Sequence, residues 1–401
     1  MKRINIKRLL GFESQYSWMK WLKVSFSVIA VIIAFMFWSN FGFLVMDLGI
    51  FGLILGLVGF VFLFGPILII MLGVATLIGV IIGGTVSGKK QYKSFKETAA
   101  TGSEELMAVE KLRIKSQILD FLFVLTFIGL LALVYPLVEP LYDAFGEAGI
   151  YAYLIIAGII LVIFWLAKFP HKQRYKDAFK QEVVKGSLNS VLDNIDFRPN
   201  EKLDENIVKA ASLFPNYDVY NGNDYLKADY HGHNFIQSDV HLQEMKEENY
   251  WKDGELKTRT VYVTVFKGRL MVFDYDAISN EPVSVYDRCG GKPKNDEKIK
   301  TELDAFNQNF YISSTSAEAA LRILTPPVLE GIVLTRGKVG YPLYLSFKDD
   351  KLYVALANGD SFEAAGGDTT LSEQRQRVAS DIQNILDLID TLYLKVEKSE
   401  K

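Results

Sequence analysis

Cysteine is almost absent. The chain has one, Cys289, so no internal disulfide can form, and the missing framework fits a reducing compartment. It stands in Asp287-Arg288-Cys289-Gly290-Gly291 with no histidine near it in sequence, which reads as a turn or edge and not as a nucleophile. Charge is missing from a long stretch: between Val24 and Gly84 only Asp47 is charged. Catalytic signatures are missing too. There is no phosphate-binding Gly-rich loop, no dinucleotide fingerprint, no Gly-x-Ser-x-Gly elbow and no His-Glu-x-x-His. Asn221-Gly222-Asn223-Asp224 is too short for a calcium loop and reads as a turn. No basic block interleaved with aromatics is present, so nucleic acid is not indicated as a partner, and no cofactor is indicated.

What is present falls into two solvents. The net charge of −3 averages an apolar N-terminal part and a charge-rich remainder after Lys168. The basic start Met1-Lys2-Arg3 resembles a signal, but the apolar run begins near Val24 and continues far beyond a signal core, so it reads as a retained first span. Phe121 to Val138 and Ile150 to Ala167 are uncharged and near the minimum crossing length. The acidic turn Glu139 to Gly149 between them predicts a helical hairpin. Lysines and arginines gather in residues 1–23, in 85–117 and again at Lys168, Lys172, Arg174 and Lys176. By the positive-inside rule all three segments face the cytoplasm. Two cytoplasmic flanks need an even number of crossings, so Val24–Gly84 is read as two spans, roughly 22–42 and 49–84. The second would reach about 54 Å as a straight helix against a core of ~30 Å, so it tilts, kinks near Gly65-Pro66 or re-enters. Gly49, Gly52, Gly56 and Gly59 fall on one helical face, as do Gly79 and Gly83, a pattern that lets helices pack closely in lipid. Asp47 is read in the short external turn beside Ser39-Asn40-Phe41-Gly42.

The expected architecture is therefore an α-helical membrane region of about four spans in two hairpins, plus an α+β domain with antiparallel hairpins and a C-terminal amphipathic helix. Its parts are a basic N-terminus (1–21), a first hairpin (22–84), a polar linker (85–117), a second hairpin (118–168) and a cytoplasmic domain (169–401). In the linker, Ser103 predicts a helix N-cap. The domain opens with a helical stripe at Phe179, Val183, Leu188, Leu192 and Ile195, ended by Phe197-Arg198-Pro199-Asn200. A short helix follows over Asp204–Ala211. Strands are expected around Tyr225–Tyr230 and Phe235–Gln243. Thr260–Phe266 and Arg269–Asp274 read as a hairpin turning at Lys267-Gly268, and Leu343–Phe347 and Leu352–Leu356 as one turning at Lys348-Asp349-Asp350-Lys351. Helices are expected over Lys300–Phe310, from a Thr315-x-x-Glu318 capping box to Leu324, and from Pro326 at a first helical position. The last helix opens on a Thr370-x-x-Glu373 box and carries the seam Val378, Ile382, Ile385, Ile389 and Leu392. That seam is expected to pack on its own domain.

Ala211-Ser212-Leu213-Phe214, Asn221 through Lys227 and Ser238-Asp239-Val240-His241 resemble the centre of a bacterial membrane-protein family, domain of unknown function 3137. Ile323-Leu324-Thr325-Pro326 and Leu345 through Ala355 resemble its C-terminal part. The resemblance covers roughly residues 110–395, including the second hairpin and not the first. It implies no catalytic residue, and it implies a LemA-type membrane protein as a partner, because such genes often lie beside those of the family.

One cluster has metal-binding chemistry. His231 and His233, with His241 as a third ligand and Asp229 and Asp239 nearby, could suit zinc if a strand puts both imidazoles on one face. Gly232 argues for a bulge or turn there. Three functions remain: a membrane-anchored cytoplasmic interaction or scaffold module, a metal-dependent hydrolase using His231 and His233, and an oligomeric transporter or channel component. The first is favoured, in the bacterial inner membrane, multi-pass, with both termini cytoplasmic. Its expected partners are the bilayer and a LemA-type protein or further copies of itself.

Overall fold

The computed structural model describes residues 82–252, 255–275, 281–290, 299–364 and 369–393, with isolated positions between 24 and 79. It divides into two compact units. One joins Met1–Glu182 with Ala364–Gln374; the other joins Val183–Glu363 with Arg375–Lys401. The expected first hairpin, with Asp47 and the packing glycines Gly49, Gly52, Gly56 and Gly59, lies almost wholly outside the described residues.

The first unit is helical. Helix α1 (82–100) and helix α2 (Glu104–Phe145) flank Thr101-Gly102-Ser103, so the expected linker is helix on both sides of a tight turn. Ser103 caps α2 as its spacing predicts, its hydroxyl accepting from the Leu106 N–H at 3.3 Å. The Gln91 amide donates to Gln117 at 2.8 Å and ties α1 to α2. Helix α3 (Glu147–Ala178) runs back along α2. The expected eleven-residue acidic loop is absent: both helices continue into it, and Gly146 alone, at φ +61°, separates them. Gly149 lies so near the corner that a Cβ there would sit 2.5 Å from the Leu141 carbonyl oxygen. Pairing continues along the hairpin. The Tyr153 hydroxyl donates to the Leu130 carbonyl. Lys168 pairs with Asp120 at 2.7 Å and lies over the Phe123 ring.

Two helices, Glu104–Val134 and Glu147–Leu188, are long and apolar enough to cross a membrane. Their apolar sides are exposed at Leu131, Ile155, Ile163 and Leu166. At the polar end of α2, Arg113 and Glu110 form a buried ion pair at 2.6 Å, and Arg113 also donates to the Thr369 carbonyl. The expected capping box closes here. Thr370 N–H donates to Glu373 at 2.8 Å, and Glu373 N–H donates back to the Thr370 hydroxyl at 3.1 Å.

The second unit is one eight-stranded sheet, antiparallel throughout, in the order β1 (Asp193–Arg198), β2 (Val219–Tyr230), β3 (His233–Lys252), β4 (Glu255–Asp274), β8 (Lys351–Leu356), β7 (Leu343–Lys348), β5 (Val283–Asp287) and β6 (Phe310–Ser314). Its chain enters through a π-helical turn, Phe179–Val184, and a last turn, Lys185–Leu188. Helix stops there, nine residues before the expected Phe197-Arg198 end, because Asp193–Arg198 (β1) pairs with β2 and Phe197 is buried as a strand residue. Helix α4 (Glu205–Ala210) is capped by Asp204, which accepts from Asn206 N–H at 2.8 Å. Strands β2 (Val219–Tyr230), β3 (His233–Lys252) and β4 (Glu255–Asp274) follow, then β5 (Val283–Asp287).

The expected hairpin at Lys267-Gly268 is a single strand. Gly268 pairs with Val240 inside β4, and a Cβ there would lie 1.8 Å from the Leu356 carbonyl oxygen. Its glycine serves a close approach, not a turn. Lys300–Phe310 is likewise shorter than expected. Helix α5 is Asp304–Asn309, and Phe310–Ser314 (β6) is a strand paired with β5. Helix α6 (Ala317–Ile323) is capped by Ser316 instead of Thr315, with the Ser316 hydroxyl accepting from Ala319 N–H. Thr315 instead donates to Glu281. Helix α7 (Pro326–Val339) starts on Pro326 as expected. Strands β7 (Leu343–Lys348) and β8 (Lys351–Leu356) turn at Asp349-Asp350, both at positive φ as a two-residue type I′ turn requires.

Both faces of the sheet are covered. One packs Leu203, Val208 and Leu213 of the α4 region on Leu242, Leu270 and Val272. Alternation puts Phe235, Gln237, Asp239, Arg269, Met271 and Phe273 on the other face. Helix α8 (Leu371–Tyr393) covers that face with Val378, Ile382, Ile385 and Ile389 buried, as the seam predicts. The Leu392 side chain lies outside the described residues.

Candidate interaction surface

The histidine cluster separates in the fold. His231 and Gly232 are the two residues of the β2–β3 turn, at φ +49° and +85°. They do not stand on one strand face. His231 stacks on Tyr230, and its Nδ1 lies 3.3 Å from Asp390 Oδ1. His233 opposes Tyr230 at the start of β3. His241 lies about 26 Å farther along that strand at the usual rise, its Nε2 3.0 Å from the Thr264 hydroxyl. Asp229 accepts from Asn194, and Asp239 is buried elsewhere. Among the described residues no group of three His, Cys, Asp or Glu could hold a metal ion.

A larger feature escaped the sequence reading. Strands β3 and β4 pair over their whole length, from Phe235↔Phe273 to Lys252↔Glu255. Their neighbours stop early. β2 ends opposite Gln243, and β8 pairs only with Arg269–Asp274. Residues 244–252 and 255–263 therefore leave the sheet as a two-stranded ribbon, about 30 Å long at the usual strand rise.

The ribbon has two unlike faces. One carries the pairs Met245↔Tyr262, Glu247↔Thr260, Asn249↔Thr258 and Trp251↔Leu256. Its apolar members are exposed, Trp251 at 73% and Leu256 at 58%. The opposite face carries the ribbon's ion pairs, interleaved with Tyr250, Val261 and Val263, the last 40% exposed. Lys246 pairs with Glu244 at 3.1 Å, Arg259 with Glu248 at 2.7 Å, and Lys257 with Glu255 at 3.7 Å. Arg259 also lies over Tyr250. Glu247, on the apolar face, has no ion pair or hydrogen bond among the described residues. An isolated two-stranded ribbon is marginal in water, and both its edges are open to pairing.

The root of the ribbon is fixed. The register shifts between Leu242 and Gln243, leaving Val265 unpaired as a bulge where the ribbon departs. On the β2 side the Asp218 carboxylate accepts from Met245 N–H at 2.7 Å. On the β8 side, residues 357–363 strap across β4. Asn358 accepts from Arg269 N–H, Gly359 N–H donates to the Lys267 carbonyl, and Asp360 pairs with Lys267 at 2.9 Å.

Beneath this strap lies a buried polar centre. Asp239 accepts from both the N–H and the hydroxyl of Ser361, each at 2.6 Å. Arg269, opposite Asp239 in the ladder, donates from Nε to the same hydroxyl at 3.1 Å and lies over Phe362. Burial pushes the Asp239 carboxyl above its ordinary range, with Arg269 opposing. Burial also raises Asp381 of α8, again opposed by Arg269. Burial lowers the Arg269 pKa, with Asp239, Asp381 and Asp224 opposing. Two guanidinium nitrogens of Arg269 and the Gln237 side-chain Oε1 have no hydrogen-bond partner among the described residues. With three carboxylates around one cation the centre does not suit an anion; Asp224 and Asp239 are buried, and Asp381 is partly exposed and also pairs with Arg377 at 3.8 Å. The geometry of the centre makes it a clamp that joins strap, sheet and ribbon root. Neither ribbon nor clamp was legible in the sequence. The available signal was the alternation of Met245, Trp251, Leu256 and Tyr262 with charge.

No curated protein matches the chain. One solved structure, the crystal structure of the mycobacterial trehalose monomycolate transport factor A, TtfA, aligns with 52% of this chain and 94% of its own at 9% identity. The TM-score of 0.28 is too low for that likeness to bear on fold or function. Residues 264–394, from just past the ribbon through α8, match the family described as Protein of unknown function (DUF3137), a shorter stretch than the resemblance expected and without the 211–241 motifs.

Proposed function

We propose that this chain is a membrane-anchored interaction module of a bacterial inner membrane, with the sheet unit in the cytoplasm and the β3–β4 ribbon as its docking element. The α2–α3 hairpin supplies the anchor, and the cations of residues 85–117 and 168–176 favour a cytoplasmic position for its polar end. A further hairpin in residues 22–84 would bring the crossings to four. The observation that carries the reading is the ribbon itself. It holds Met245, Trp251, Leu256 and Tyr262 in water on one face, an arrangement that costs stability unless something covers it.

A photocrosslinking residue placed at Trp251 or Leu256 of the full-length chain tests this in cells. A discrete protein adduct from those positions, missing when the probe sits at exposed Leu321 on α6, is the expected result. Monomer alone from every ribbon position would overturn it. A LemA-type membrane protein is the first candidate to look for in the adduct.

A further inference from the structure

We infer that the ribbon's partner is an extended polypeptide segment that adds to the free edge of β3 and sets a lysine or arginine against Glu247. This rests on the docking role just proposed and names the chemistry that fills it.

The edge comes first. Gln243 O and Met245 N–H point toward β2, where Asp218 satisfies both. The antiparallel alternation then turns the backbone groups of Glu247, Asn249 and Trp251 outward, with no strand beside them. An added strand would bond these groups and place its own side chains directly beside theirs.

Charge selects what the strand carries. The ionic face of the ribbon pairs its own charges, while Glu247 on the apolar face is unpaired among the described residues. A partner covering Trp251 would desolvate Glu247 as well, and a carboxylate taken out of water needs a cation or donors. The strand should therefore present a cation beside Glu247 and an apolar residue beside Trp251, four positions apart in either direction.

A second copy fits poorly. If two β3 edges pair with their apolar faces merged, Glu247 can oppose only Met245, Glu247, Asn249 or Trp251 of the other ribbon. None is cationic.

The test uses the full-length chain in nanodiscs against a displayed library of random peptides. Peptides with Lys or Arg four residues from a large apolar residue should be enriched. E247K should weaken a selected peptide about tenfold or more, as loss of a charge-assisted contact does, and should turn a fresh selection toward Asp or Glu at that position. W251A should remove the apolar preference. Both positions are solvent-exposed, and an unchanged melting temperature would show that the variants fold. Peptides that need Trp251 but show no basic preference and ignore E247K would overturn the inference while leaving the docking role standing. A dimer in sedimentation that W251A dissolves would also overturn it. Selection that never depends on Trp251 would instead sink the docking role itself.

Discussion

Arg269 shows how one residue can be decisive and still invisible in a sequence. It stands at the head of a continuous apolar run, Leu270-Met271-Val272-Phe273, and is 1% exposed beneath a strap contributed by residues 358–362. Its partners Asp239 and Ser361 are remote in the chain, so no local pattern announces them. The electrostatics give a signed prediction. Burial raises the folded pKa of Asp239 and Asp381 above the unfolded value of about 4. Their contribution to stability is fully present below that value and is lost as pH rises through the raised folded values. Arg269 holds both shifts down. R269M should therefore destabilise the chain at neutral pH by roughly 3–5 kcal/mol, the usual cost of leaving buried charge uncompensated. The loss should shrink as pH falls through the raised folded values toward about 4, because the carboxyls protonate before the unfolded value is reached. Urea midpoints of parent and variant across this range measure it, and a pH-independent loss would contradict the account. Gly268 teaches a different lesson. Lys-Gly between two apolar runs reads as a turn, but backbone crowding against Leu356 also demands glycine. G268A should cost about 1–3 kcal/mol or more by overpacking, read from the same denaturation curves. A true turn glycine at an ordinary φ would tolerate alanine.

Several elements whose signals are local were legible. Asp349-Asp350, the Thr370 capping box, the Pro326 start and the α8 seam each involve residues a few positions apart, and each forms as the spacing predicts. Elements set by distant pairing were not. The β1 segment suits a helical stripe through Leu192 and Ile195, and pairing of Phe197 with Leu226 overrides that local preference. The metal reading of His231 and His233 failed to assemble for a similar reason, since a hairpin turn occupies the position assumed to be strand. The ribbon is the largest such case. Its strands alternate like any half-buried pair, and only the early ends of β2 and β8 reveal that no other strand flanks it. If docking is its purpose, the sheet should not need it. Replacing residues 245–262 with an Asn-Gly turn joins Glu244 to its partner Val263. The shortened chain should keep its melting temperature within a few degrees, since few buried contacts are removed, and should lose every adduct that Trp251 and Leu256 give in the parent. A large fall in melting temperature would make the ribbon structural.

At the scale of the whole molecule the proposed anchor would hold the sheet unit on one side of a membrane, and a single cysteine makes that side measurable. Cys289 is the single thiol, and it is exposed at the end of β5. Arg336 donates to its sulfur at 3.5 Å while also pairing with buried Asp287, so the thiol sits on a well-anchored surface. A membrane-impermeant maleimide reaches it only from the side that holds the sheet unit. If that side is the cytoplasm, intact cells with their inner membrane exposed should leave Cys289 unlabelled, and inverted vesicles should label it fully. The corner of the α2–α3 hairpin supplies the opposite reporter. In a C289S background, cysteine at exposed Glu147 would label from outside and not in inverted vesicles, because one crossing by α3 separates it from the basic residues that follow Lys168. Labelling of both positions from the same side would mean that α3 does not cross, and the apolar hairpin would then be covered by protein instead of lipid. Cys289 labelled from outside and Glu147→Cys from inside would invert the scheme, placing the ribbon and its partner beyond the cytoplasm against the charge bias of the flanking segments. Opposite accessibility in the predicted sense ties the anchor to the ribbon, since it fixes the compartment in which the partner of Trp251 and Glu247 must be sought.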